Sequence, residues 1–318
     1  MDLFEIKGLK EIPIKDIENI YIGQTEDPVG MTGVTVIASK EGFAAGMDVR
    51  GGGPASREGE LLKPLAAAHS IHAVVLGGGS AFGLSAAGGV MKYMEEHDIG
   101  YDVGITKVPL VVQSDIFDLG IGDYKARPDE AMGYEATRRA FEEPNYRNGS
   151  FGAGCGATVG KVLGMEYSMK SGIGSFAVEK DGLKIGAIVV VNAIGDVFDH
   201  KTGKKIAGLL NEDKTGFRSA YEVMGNTIRV RDNKFTDNTT IGVVITNARF
   251  DKSQLSKIAG MAHDGYARSI SPVHTSADGD TIYAVSSGEL SADQDLVGVI
   301  AAEVMSEAII NAITNRHL

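Results

Sequence analysis

The chain has 318 residues, 31 basic against 42 acidic side chains, a net charge of −11 and 43% hydrophobic residues. That balance gives a globular core and excludes the clustered lysine and arginine that nucleic acids and anionic membranes require. A single cysteine excludes an internal disulfide and a cysteine-rich zinc site.

No apolar run approaches the roughly 20 residues of a membrane span, and the opening MDLFEIKGLK has no signal-peptide core. The expectation is a cytoplasmic protein with no nucleic-acid or membrane partner. Glycine is over-used, 42 residues against 8 prolines and no tryptophan, without a period; tight turns and closely packed layers follow from it.

In chain order, residues 20–50 read as strands with turns (IYIGQT, GVTVIAS, GFAAGMDVRGGGP), and HAVVLG (72–77) as a buried strand. SAFGLSAAGGVMKYMEEHD then has a helical pattern with Ser80 as its N-cap, and 128–143 a second one. GAIVVVNAIGDV (186–197) is a strong strand, and the polar stretch 198–237 reads as an exposed, mobile connection. TTIGVVIT (239–246) is a central strand, followed by the helix DKSQLSKIAGMAHDGYARSI, the strand DTIYAVSS and a closing helix over 291–316. Strands and helices alternate without a boundary, which predicts one α/β domain of layered sheets over 1–318.

GGGSAFG (77–83) joins a strand to a helix, where backbone N–H groups can cradle a phosphate, but Phe82 interrupts the GxGxxG spacing. In GATVGKV (156–162), Cys155 replaces the first P-loop glycine and Val162 the magnesium-binding hydroxyl, so both loops read as tight packing. Cys155 has no identifiable base and reads as a small buried thiol. The close pair His69 and His72 lacks HExxH spacing, and no metal is expected. The sequons at Asn148 and Asn238 are read as chance matches. The Asn238–Thr239 junction is different, because a polar loop ends in Asn-Thr directly before an apolar strand. There a threonine hydroxyl can attack the carbonyl of the peptide that precedes it, and hydrolysis of the ester frees an α-amine that serves as the base for that hydroxyl.

Seven blocks extend this reading: MDVRGGGP (47–54), VLGGGSAFGLSAAGG (75–89), DIFDLGIGD (115–123), FGAGCGATVGK (151–161), VVVNAIG (189–195), NTTIGVVIT (238–246) and MAHDGYARSISPVHTSADGDTIYAVSSGE (261–289). Over nearly its whole length the chain resembles the DmpA-type family of L-aminopeptidases/D-esterases, the P1 peptidases, with their β-peptidyl aminopeptidase and nylon-oligomer hydrolase relatives. The resemblance implies a four-layer αββα sandwich of the N-terminal-nucleophile-like type and a precursor that cleaves itself. The products would be residues 1–238 and 239–318, assembled as a homo-oligomer, a tetramer of cleaved heterodimers, with no cofactor. The implied activity is amide hydrolysis through an acyl-enzyme, on short peptides or ω-amino-acid oligomers. Acyl transfer of the ornithine acetyltransferase type, or a non-catalytic relative, is the alternative.

By the same resemblance, Thr239 is the nucleophile with cleavage after Asn238, Asn192 donates to the oxyanion, and Lys161 lies beside the new amine. Without the resemblance Lys161 reads as a solvated lysine. Asp278 and Asp280 match an acidic pair that orients the amine; their spacing of two puts both on one face of an extended segment. Ser287 and Glu289 repeat that spacing and are the secondary candidates. A metal reading would need His274 as its nearest additional ligand.

Overall fold

Runs of valine, isoleucine and threonine become strands here, and the amphipathic segments between them become helices. The computed structural model describes Leu3, residues 6–226 and residues 238–315. Its long strands are β1 (Tyr21–Asp27), β2 (Thr32–Val49), β3 (Ile71–Gly77), β4 (Val111–Asp115), β5 (Ile173–Lys180), β6 (Leu183–Asn192), β7 (Thr239–Ala248) and β8 (Thr281–Leu290). Its long helices are α1 (Ala86–Glu96), α2 (Glu130–Glu142), α3 (Lys252–Ser269) and α4 (Gln294–Thr314).

Two sheets form. In the first, β5, β6, β7 and β8 lie side by side and the second half of β2 pairs with β8. In the second, the first half of β2 lies between β1 and β3, and β4 follows β3. The 18-residue strand β2 therefore belongs to both sheets, crossing between them at a register shift after Ala38 where Gly42 adopts φ +80.

Alternation assigns the faces. Ile188, Val190, Ile241, Val243 and Tyr283 of the first sheet meet Ile37, Val74, Leu76 and Val112 of the second in a buried core. Val189, Val244 and Ile282 point the other way, against Leu255 and Ile258 of α3 and Val304 and Met305 of α4. Val34, Val36 and Val75 pack on Ala86 and Val90 of α1 and Ala136 of α2. The order is helix, sheet, sheet, helix, as the resemblance implied.

Glycine sets the helix–sheet spacing. A β-carbon at Gly23 in β1 would lie 2.1 Å from the Ala136 carbonyl oxygen of α2, and one at Gly174 in β5 would lie 2.1 Å from that of Ala308 in α4. Both outer layers thus rest backbone against backbone.

Three expectations need correction. Ser80 does not cap a helix: it has φ +53 and opens a 3-10 segment, Ser80–Ser85, with α1 beginning at Ala86. Its N–H donates to the Ile116 carbonyl at 3.0 Å, which anchors the left-handed turn to the end of β4. The stretch after 198 is not simply exposed, because Lys205–Ala207 pairs with Asp196–Phe198 and Leu209 and Ala220 are buried. The buried Asp196 carboxylate gathers that stretch by accepting from Leu209 N, Ala220 N and Lys205 Nζ; residues 227–237 lie outside the described ones. Finally, α4 has the length and composition of a membrane span, 21 residues at mean hydropathy 1.8, but 72% of its apolar window is buried. Packing against both the first sheet and α3 leaves it little lipid-like exposure, and it is a core helix.

Gly174→Ala should destabilise the protein by about 1–3 kcal/mol, the cost of overpacking a tight contact. Thermal or denaturant unfolding measures this, and an unchanged midpoint would mean that α4 can ride outward without loss.

Candidate active site

The antiparallel register of β6 and β7 sets Asn192, the last residue of one, opposite Thr239, the first of the other. Strand β8 runs parallel to β7, with Thr281 opposite Ile241, so the segments preceding both strands are neighbours. An isolated bridge joins Asn238 to Asp278. Asn192, Thr239 and the DGD turn are brought together by pairing alone.

Thr239 is only 4% exposed. Its hydroxyl donates to the carbonyl oxygen of Asn238, its own preceding peptide, at 2.5 Å, and the Gly279 N–H donates to that oxygen at 3.0 Å. Gly279 has to lack a side chain, since a β-carbon would sit 2.7 Å from Thr239 Oγ.

The two aspartates hold different partners. Asp280 Oδ1 accepts from Thr240 N at 2.8 Å, while Oδ2 accepts from the His274 N–H at 3.1 Å and pairs with His274 Nδ1 at 2.8 Å. Asp278 Oδ2 accepts from the Thr275 N–H at 2.7 Å and hydroxyl at 2.6 Å. Burial, reinforced by the neighbouring Asp280 charge, pushes the Asp278 carboxyl up to about 6; the Thr275 donors and Lys161 oppose the shift. MDVRGGGP buttresses this turn, because Arg50 N and Gly51 N donate to the Asp280 carbonyl and Gly53 N to that of Asp278.

Asn192 is fully buried, and its amide orientation follows from its partners. Thr158 N–H at 3.0 Å and the Lys161 ammonium at 2.8 Å can only donate, so both must face Oδ1. The amide nitrogen then faces the other way and donates to the Phe117 carbonyl at 3.1 Å. Lys161, 7% exposed, is not the solvated lysine of the sequence reading. Its head also donates to the Asn192 carbonyl, which a buried ammonium needs.

The glycine loop after β3 is filled by a carboxylate of the chain itself. Asp118 accepts from Gly79 N and Thr32 Oγ, each at 2.7 Å, and a β-carbon at Gly78 would lie 2.0 Å from it. Cys155 is buried and its thiol pushed up to about 11 by burial. His72 accepts the Leu110 N–H through Nδ1.

Ser287 and Glu289 lie toward the far end of β8, roughly 20 Å along the strand at about 3.3 Å per residue. Ser287 donates to the Thr246 carbonyl, and exposed Glu289 pairs with Arg249. The structure thus gathers Thr239, Asn192, Lys161, Asp278 and Asp280 and leaves the secondary pair apart. Sequence reasoning missed Gly279 N–H, Thr158 N–H and the Phe117 carbonyl, since a backbone group has no residue signature. Thr275 was findable, because Thr three residues before Asp is ordinary turn chemistry.

The sequence pattern described as peptidase family S58 matches residues 13–317. An uncharacterized aminopeptidase of Mycobacterium leprae is 37% identical over 295 residues, which is 88% of this chain and 79% of the relative. A 6-aminohexanoate-oligomer endohydrolase of Agromyces sp. is 31% identical over 317 residues, 93% of this chain and 84% of the relative. The solved L-aminopeptidase D-Ala-esterase/amidase of Ochrobactrum anthropi, described as a variant of the Ntn hydrolase fold, matches at TM-score 0.68. That match covers 96% of this chain and 86% of the other at 18% identity, and shows the shared fold.

The Asp278 carboxyl holds its proton more tightly folded than unfolded, so its contribution to stability is full below pH ~4 and lost as pH rises through about 6. Asp278→Asn should therefore stabilise the protein at pH 8, by on the order of 1–3 kcal/mol. The gain should vanish at pH 4. Unfolding both proteins across that range checks the sign; a gain independent of pH would refute the buried-charge account.

Proposed function

This chain belongs to peptidase family S58 and is a hydrolase of peptide or amide bonds, and from its site we propose a self-processing amidohydrolase of the aminopeptidase type with Thr239 as an N-terminal nucleophile. The observation that carries the reading is the Asn238–Thr239 peptide. Its carbonyl oxygen accepts from the very hydroxyl that would attack it and from Gly279 N–H.

In the first step Thr239 Oγ adds to the Asn238 carbonyl carbon, with Gly279 N–H supporting the negative oxygen. The C–N bond then breaks, the hydroxyl proton ends on the departing Thr239 nitrogen, and an ester remains. Water cleaves the ester, leaving Asn238 as a carboxylate and Thr239 with a free amine and hydroxyl. Residues 1–238 and 239–318 would remain one body, because β7 lies between β6 and β8.

In turnover the free amine takes the proton from Oγ as the hydroxyl attacks the substrate amide. The substrate C–N bond breaks, the substrate's own amine leaves with the proton handed on by the Thr239 ammonium, and water then cleaves the ester, releasing the acid and restoring the Thr239 hydroxyl. Asn192 supplies a fixed amide donor at the strand end opposite Thr239, and Lys161 holds that amide by its oxygen. Asp280 holds the main chain directly after the nucleophile through Thr240 N. Short peptides and ω-amino-acid oligomers are the substrate classes, supported by the activities named for the relatives. Assaying L-, D- and β-aminoacyl amides beside amino-hexanoate oligomers separates the two classes.

Purified wild-type protein should run as two fragments divided at Asn238/Thr239, Thr239→Ala as one chain, and Thr239→Ser as two. Mass spectrometry reads this, and normal division of Thr239→Ala would remove Thr239 from its role. Asn192→Ala, once cleaved, should lose roughly 100- to 1,000-fold in kcat, the usual loss of one oxyanion donor. Steady-state kinetics at saturating substrate decides it, with wild-type kcat as the refuting outcome.

A further inference from the structure

Behind the acidic pair lies an aromatic cluster to which the reaction scheme above gives no part. His274 precedes the DGD turn and contacts Asp280 twice, through its N–H at 3.1 Å and through Nδ1 at 2.8 Å, both on Oδ2. The carboxylate is thereby clamped at both ends, because Oδ1 is occupied by Thr240 N.

The backbone at His274 is left-handed, φ +58. Glycine takes that conformation freely, whereas another residue is strained there by about 1–2 kcal/mol. A glycine at this position would relieve the backbone and remove the ring that contacts Asp280.

The ring is also held from behind. His263 and Tyr266, three residues apart on one face of α3, are both fully buried. His263 meets His274 edge to face with centroids 4.7 Å apart, and the Tyr266 ring lies 6.0 Å from it at 28°. His263 is itself fixed, since its Nε2 donates to the Asp48 carbonyl at 3.1 Å and burial pulls its ring down to about 4, leaving it neutral. Strand β7 is cut back to admit this cluster, as a β-carbon on Gly242 would lie 2.8 Å from the Tyr266 hydroxyl.

We propose that His274 is a positioning residue for the reaction at Thr239: its imidazole, backed by His263 and Tyr266, fixes the rotamer of Asp280 and through it the main chain at Thr239–Thr240. The inference rests on the function proposed above. Removing the ring leaves Oδ2 with a single backbone donor and frees the carboxylate to turn, and a displacement of about 1 Å at a reacting centre costs on the order of 100-fold.

The test is a double-mutant cycle on the full-length protein. His274→Gly suits the left-handed backbone and should keep its melting temperature, yet slow both self-cleavage and kcat by roughly 10- to 100-fold with KM nearly unchanged. His274→Asn, which tolerates that backbone and retains an amide donor, should recover part of the rate. In the background of Asp280→Asn, His274→Gly should add little, because both changes break one linkage. Wild-type rates in His274→Gly, or full additivity with Asp280→Asn, would overturn the inference while leaving the proposed function standing. An undivided wild-type chain without amidase activity would overturn the proposed function and this inference together.

Discussion

Eight consecutive residue pairs, from Ile185–Thr246 to Asn192–Thr239, zip β6 to β7. A slip of one residue would turn every side chain of β7 to the opposite face, exchanging Val243 in the inter-sheet core with Val244 beneath the helices. Because both faces are buried, that register is over-determined by apolar packing far from any chemistry. The site inherits its precision from the core, which brings an amide at the end of one strand to a hydroxyl at the start of the next.

Charge is the second constraint. Lys161, Asp118, Asp278 and Asp280 are all nearly excluded from water, and an isolated buried ion costs several kcal/mol. Each is offset locally: Asp118 by a glycine-loop N–H and Thr32, Asp280 by Thr240 and His274, Lys161 by the oxygens of Asn192. Asp278, whose Oδ2 accepts from the Thr275 N–H and hydroxyl, is pushed up to about 6 by burial and the neighbouring Asp280 charge, and burial raises the Asp118 carboxyl as well.

The periodic elements were legible from the sequence. TTIGVVIT, GAIVVVN and DKSQLSKIAGMAHDGYARSI are long and strongly patterned, and they appear as β7, β6 and α3. The glycine excess pointed correctly to close layers, and Gly23 and Gly174 show where. Elements that depend on distant partners were not legible. Stretches such as IGSFAVEK, which forms β5, have weak alternation around Gly174 and Ser175, and Ser80 takes a left-handed backbone held by a carbonyl 36 residues away, at Ile116. At the site, the side chains were legible through the resemblance, but the exposure of Lys161 was misjudged, because its need for the Asn192 oxygens exists only once the strands are paired.

One strand remains whose course has a further consequence. Since β2 contributes its first half to one sheet and its second half to the other, neither sheet can be completed without the other's strand in place. The inter-sheet core and the two helical coats are therefore parts of one cooperative unit, and native-state hydrogen exchange along β2 should follow the global opening of the molecule and not the fraying of either sheet. The turn MDVRGGGP, at the end of that strand, is thus tied to that global opening, and through its bonds to the Asp278 and Asp280 carbonyls so is the DGD segment.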